Sequence, residues 1–113
     1  MTFEQGDIIA LDFSLTQGHK QSGYCPSLVV SRNIFNAKTG FIVVCPITNT
    51  IKSFPTRVAL DERTQTTGFV VCEQVRTLDI KTRIPKLIEK IPDDLLRQTL
   101  DIVSSVFEGG ENA

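Results

Sequence analysis

Phe41-Ile42-Val43-Val44-Cys45-Pro46-Ile47, preceded by Gly40 and followed by Thr48-Asn49-Thr50, is the stretch whose reading decides the fold. Its β-branched and aromatic residues, closed off by a glycine and a polar run, predict a strand. Similar short runs lie on both sides: residues 6–13 (GDIIALDF), 28–32 (LVVSR), 57–60 (RVAL) and 69–75 (FVVCEQV), the last continued or bent by residues 76–80. Residues 33–40 read as a turn or a single helical turn closing at Gly40. Short strands separated by Gly, Pro, Asn and Thr signals predict a small antiparallel barrel or sandwich, not β-α-β units.

The period changes in the last third. Pro92 suits a first helical position, and Asp93 and Asp94 fill a first turn where carboxylates complement the helix dipole. At about 100° per residue, Leu95, Leu96, Thr99, Leu100, Ile102, Val103, Val106 and Phe107 fall on one arc of about 160°. Arg97, Gln98, Asp101, Ser104, Ser105 and Glu108 occupy the other side, and Gly109-Gly110 ends the run. A helix packed on the sheet follows. The expected fold class is mainly β with α, a strongly bent antiparallel sheet with one C-terminal helix.

With 113 residues, 41% of them hydrophobic and 22% charged, the chain reads as one domain (1–113) able to bury a single core. Its net charge of −1 carries no signature of non-specific nucleic-acid binding, so a nucleic-acid partner must meet a local patch. No apolar run approaches the roughly 18 residues of a membrane span, and residues 1–5 are not a secretory leader. Cys25, Cys45 and Cys72 are odd in number and lack CxxC spacing, which argues against a disulfide framework or a zinc site. Cys45 and Cys72 lie in apolar runs, as small buried hydrophobes do. A cytoplasmic location is expected.

Residues 17–26 (QGHKQSGYCP) are too polar and glycine-rich for a core, yet they hold the chain's only histidine. His19 could shuttle a proton near neutral pH, and with Lys20 and Gln21 beside it could meet an anionic ligand. Thr48 closes a strand, where a threonine ordinarily satisfies local backbone groups. Glu73 and Gln74 interrupt an apolar strand, so one of them should point inward and need a partner. Lys52 and Phe54 precede Pro55 and pair a cation with an aromatic, a combination that attracts phosphate and stacks a base, although a solvated loop has the same look. There is no glycine-rich phosphate loop, no HExxH and no GxSxG, so an enzyme built from this chain would use neither metal nor nucleotide cofactor.

These segments, taken in order, resemble the MazF/PemK/Kid family of toxin endoribonucleases, the toxin halves of toxin–antitoxin pairs. Gly6-Asp7-Ile8 with Asp12-Phe13 is similar to the family's opening strand. Gly18-His19-Lys20-Gln21-Ser22-Gly23-Tyr24-Cys25-Pro26 resembles its G-H-E-Q-x-G-x-R-P loop, and Pro46-Ile47-Thr48 its P-x-T. Gly68-Phe69-Val70-Val71-Cys72-Glu73-Gln74-Val75-Arg76-Thr77-Leu78-Asp79 resembles its G-V-V-x-x-D-Q-x-R-x-I-D.

The resemblance implies an SH3-like, CcdB-like β-barrel, a homodimer, and sequence-selective, metal-independent cleavage of single-stranded RNA that stops translation and growth. In that chemistry a ribose 2′-hydroxyl attacks the adjacent phosphate, leaving a 2′,3′-cyclic phosphate and a 5′-hydroxyl. Thr48 matches the family's catalytic threonine, His19 a histidine implicated in some members, and Glu73 a position that is often aspartate. Expected RNA contacts fall on Lys20, Gln21, Tyr24, Lys52, Phe54 and Gln74. The acidic, amphipathic C-terminal segment of a cognate antitoxin would fill the groove shared by the dimer. No cofactor and no membrane are implied.

Two residues depart from the pattern. Lys20 replaces a glutamate and still suits a phosphate-facing rim. Cys25 replaces the arginine that acts on the scissile phosphate, and a thiol supplies neither its permanent charge nor its planar fork. A single lost donor of that kind costs about 3–4 kcal/mol. Cys25 therefore predicts impaired activity, by a substitution that makes the toxin tolerable or by natural decay; a thiol that itself moves protons is a further option. Two non-enzymatic readings remain beside the nuclease: a CcdB-like gyrase-binding toxin, and a catalytically dead homologue that sequesters antitoxin.

Overall fold

A computed structural model describes residues 2–12, 24–50 and 53–109 of the chain. Seven strands run in the order β1 (Asp7–Asp12), β2 (Tyr24–Val29), β3 (Phe41–Thr48), β4 (Arg57–Ala59), β5 (Phe69–Val71), β6 (Arg76–Asp79) and β7 (Lys86–Lys90). Helix α1 (Asn33–Thr39) separates β2 from β3, and helix α2 (Asp93–Phe107) is the last element. The strands pair antiparallel in the spatial order β4-β5-β3-β2-β1-β7. Strand β6 joins β3 over residues 41–44 and β5 takes over at Ile47 and Thr48, so β3 contacts three neighbours along its length.

Alternation along β3 divides the interior into two layers. Cys45 and Ile47 point to one face with Ile8, Leu28, Val58, Val70 and Cys72, and α2 covers this layer through Leu95, Leu96, Leu100 and Val103. Ile42 and Val44 point to the other face and pack with Ile9 and Val29, flanked by Phe3, Leu78 and Ile80. The helix seats only its first half to two-thirds: Leu95 and Thr99 are buried, whereas Val106 and Phe107 are 48% and 68% exposed.

Polar groups lock the margins of the sheet. Asn36, fully buried, donates from Nδ2 to the carbonyls of Phe3 and Ser31 and accepts from the Ser31 hydroxyl, while that hydroxyl oxygen accepts from the Val43 amide. One side chain thereby ties α1 to the N-terminal segment and to the start of β3. Lys90 on β7 bonds Asp7 and Glu4, both at 2.8 Å, and these carboxylates, Asp7 first, raise its pKa above the ordinary lysine value. Glu89 accepts from the amides of Gln65 and Thr66 and from the Thr66 hydroxyl, which anchors the β4–β5 connection to β7.

Several sequence expectations shift here. Strand β2 begins at Tyr24, so Cys25 and Pro26 belong to a strand and not to the preceding loop, and Arg32 stands outside it as the cap of α1. The β5 run stops at Val71 and Cys72–Gln74 form a 3₁₀ turn, which leaves both Glu73 and Gln74 exposed; neither points inward as strand alternation required. Residues 76–79 form a separate strand, and Pro92 caps α2 instead of opening it. Strand β7 was not anticipated, because Lys86-Leu87-Ile88-Glu89-Lys90 has no alternation to mark it.

Candidate functional site

Strands β2 and β3 carry the two positions of greatest chemical interest. Their register pairs Ser27 with Pro46. The pairing ends there; the same register carried two residues outward would set Cys25 level with Thr48 on the same face of the sheet. Cys25 is half-buried there, opposite Leu11 of β1.

Beyond β3 the surface opens into a cleft of about 250 Å3 lined by Pro46, Thr48, Thr50, Arg57, Val71 and Gln74. A neighbouring cleft of about 320 Å3, lined by Pro46, Gln74, Val75 and Arg76, shares two of those walls. The 3₁₀ turn makes this arrangement: ending β5 at Val71 swings Gln74 to the rim instead of into the sheet. The Thr48 hydroxyl accepts from the Thr50 amide at 3.1 Å and donates to the Thr50 hydroxyl at 3.2 Å. That local turn holds its oxygen at the mouth of the cleft.

Gly68 is what lets β5 approach this point. Its φ is +116°, and a Cβ built there would lie 2.2 Å from the Thr48 carbonyl oxygen. Only a residue without a side chain allows the two backbones to come so close.

Glu73 stands beside the cleft through Arg57. It accepts from the Thr56 hydroxyl at 2.5 Å, and Arg57 Nη2 approaches its second oxygen at 3.3 Å. The Thr56 bond foremost, then a backbone bond and Arg57, hold its carboxyl below the usual range against the burial that would raise it. A carboxylate with a lowered folded pKa stabilises the protein above its unfolded pKa, and that contribution disappears as pH falls through the folded value. The melting-temperature gap between the natural protein and Glu73→Gln should therefore be constant near neutral pH and close only below the ordinary glutamate range. A gap that closes near pH 7 would contradict this assignment.

The Arg57 guanidinium carbon also sits 5.5 Å from the centre of the Phe54 ring, itself 55% exposed. Of the expected site residues, Thr48 and Gln74 line one cleft, Glu73 and Phe54 adjoin it through Arg57, and Cys25 stands on β2 outside its lining. His19, Lys20, Gln21 and Lys52, and the side chain of Tyr24, lie outside the described residues. Arg57 and Arg76 were missed as site residues. The available signal was a lone arginine opening an apolar three-residue strand, but its value depends on the pairing of Arg57 with Val71, which no local pattern reveals.

The remaining thiols are not reactive groups. Burial foremost, aided by Cys72 and Glu73, pushes Cys45 up to about 12, and burial with Glu73 pushes Cys72 up to about 11. Among the described residues no group of three His, Cys, Asp or Glu side chains is arranged to hold a metal, and no helix is long and apolar enough to cross a membrane.

Residues 4–107 match the family described as PemK-like, MazF-like toxin of type II toxin–antitoxin system. The chain is 36% identical over 108 residues to endoribonuclease PemK of Escherichia coli, spanning 92% of this chain and 81% of that protein. It is 32% identical over 80 residues to endoribonuclease toxin MazF of Escherichia coli K12, spanning 71% of each. Among solved structures, MazF from Deinococcus radiodurans superposes with a TM-score of 0.79 at 29% identity, over 94% of this chain and 96% of that one. A chain of the MazE–MazF complex from the same organism gives 0.80 at 26% identity, over 94% and 95%. The antiparallel sheet with its C-terminal helix is shared with these proteins.

Proposed function

The chain belongs to the PemK-like, MazF-like toxins of type II toxin–antitoxin systems, an endoribonuclease family, and we propose that it cleaves single-stranded RNA in the cleft beside Thr48 without a metal. The observation that carries this reading is the convergence of Thr48, Gln74 and Arg57 on one cleft.

The reaction joins the ribose 2′-oxygen to the adjacent phosphorus and breaks the bond from phosphorus to the 5′-oxygen. The proton lost from the 2′-hydroxyl is taken by a base, and a proton is returned to the departing 5′-oxygen. Glu73, ionised near neutral pH, and His19 are the candidates for these transfers. Thr48 offers a hydroxyl donor to a phosphate oxygen, Gln74 an amide to a base edge, and exposed Phe54 a stacking surface for an unpaired base. Cys25 leaves the developing phosphate charge without a guanidinium at that point, so turnover is slow. A homodimer with a shared groove and an antitoxin with an acidic C-terminal segment complete the reading; Arg57 and Arg76 give such a segment complementary charge.

The test is incubation of the purified chain with single-stranded RNA in excess chelator, followed by analysis of the fragment ends. Slow cleavage giving 5′-hydroxyl ends, which a polynucleotide kinase labels without prior phosphatase, is expected. Cleavage that stops in chelator, or fragments with 5′-phosphates, would overturn the mechanism.

A further inference from the structure

We propose that Arg57 grips the scissile phosphate, supplying the guanidinium that position 25 lacks; this rests on the nuclease reading above. Attack of the 2′-oxygen loads negative charge onto the non-bridging phosphate oxygens, and donors aimed at that charge in a partly dehydrated cleft give the largest single rate contribution. Cys25 offers no such donor. Arg57 lines the same cleft as Thr48, on a strand that meets β5 at Val71.

Its side chain is held before substrate arrives. Glu73 engages Nη2 at 3.3 Å, the Phe54 ring lies 5.5 Å from the guanidinium carbon, and only 20% of the side chain is exposed. A guanidinium carries five N–H donors in one plane, so one group can serve a carboxylate and a phosphate together. The rotamer entropy that a surface arginine would lose on binding is thus largely spent in the free protein. Arg76 is the rival cation, but it lines the adjoining cleft with Val75 and not the one beside Thr48. That position suits the next phosphate along the strand. Arg57 transfers no proton in the step; it stabilises charge only.

Four proteins spanning residues 1–113 test this: the chain with Cys25, Arg57→Gln, Cys25→Arg and the double substitution, each assayed on a single-stranded RNA oligonucleotide in chelator. Arg57→Gln is expected to lower kcat about 100-fold in the Cys25 background, with a smaller change in KM. In the Cys25→Arg background the same substitution should cost about tenfold or less, because a second guanidinium then holds the phosphate. Arg57→Lys, which retains charge and stem, should recover part of the loss and serves where the glutamine variant does not fold. A phosphorothioate at the scissile position should be cleaved at different rates in its two stereoisomers, and Arg57→Gln should reduce that difference.

An equal fold-loss in both backgrounds, or an unchanged stereoisomer preference, would mean that Arg57 only supports Glu73 and Thr56, and the proposal falls while the nuclease reading stands. RNA left intact by both the Cys25 chain and Cys25→Arg sinks the nuclease reading, and this role of Arg57 with it.

Discussion

Cys25→Arg is expected to accelerate RNA cleavage by about 10–100-fold, measured as kcat on a single-stranded oligonucleotide in chelator. One preorganised, permanently charged donor at a developing oxyanion is worth about 3–4 kcal/mol, and Arg57 already supplies about a tenfold share of it. The location makes the remainder attainable. Position 25 lies within β2, where pairing with Leu11 fixes the backbone, and not at the tip of a loop. The site is half-buried, so a longer side chain can extend along the surface toward Thr48 without overpacking either interior layer. The new arginine should also increase the salt sensitivity of RNA binding, since one more phosphate contact releases one more counterion. A rate gain below tenfold would show that position 25 does not face the reacting phosphate.

Gly68→Ala should lower stability by about 3 kcal/mol or more and reduce cleavage along with it. Two independent costs combine. A non-glycine residue at φ +116° carries backbone strain of about 1–3 kcal/mol. The added Cβ would also stand 2.2 Å from the Thr48 carbonyl oxygen and 2.8 Å from its carbon, both backbone atoms that cannot rotate away. Strand β5 must then move off β3, and the Ile47–Val70 and Thr48–Phe69 pairs with it. The midpoint of thermal unfolding should fall by roughly 10 °C, given about 4 °C per kcal/mol for a chain of this size. An alanine variant that melts within about 2 °C of the natural protein would show that the close approach is not required.

The strands whose sides were legible are those that cross the centre. Strand β3 is a run of apolar residues closed by Gly40 and by Thr48-Asn49-Thr50, and its interior position follows from that alone. Helix α2 was equally plain from its periodicity, although Val106 and Phe107 fit the apolar arc without reaching the core. The start of strand β2 was misplaced because residues 17–26 read as one polar, glycine-rich loop. Pro26 stands one residue beyond the last pair with β3, an end position where a missing N–H is tolerated. Of the residues that line the cleft, Thr48 and Gln74 could be named from motif order. Arg57 could not, since its worth arises from long-range pairing of β4 with β5 and from a turn at Cys72–Gln74 that interrupts a sequence reading as continuous strand.

The three-sided bonding of β3 restricts how this chain can diverge. Point replacements along the strand can be absorbed one at a time, but gain or loss of a single residue between Gly40 and Thr48 would rotate everything downstream by half a turn. Pro46 and Thr48 would then face α2, and Cys45 and Ile47 would face the cleft. Hydrophobic filling and reactive surface are consequently inherited as one unit, and lineages of this protein should vary in the length of their connections while the span from the left-handed glycine to the hydroxyl stays fixed.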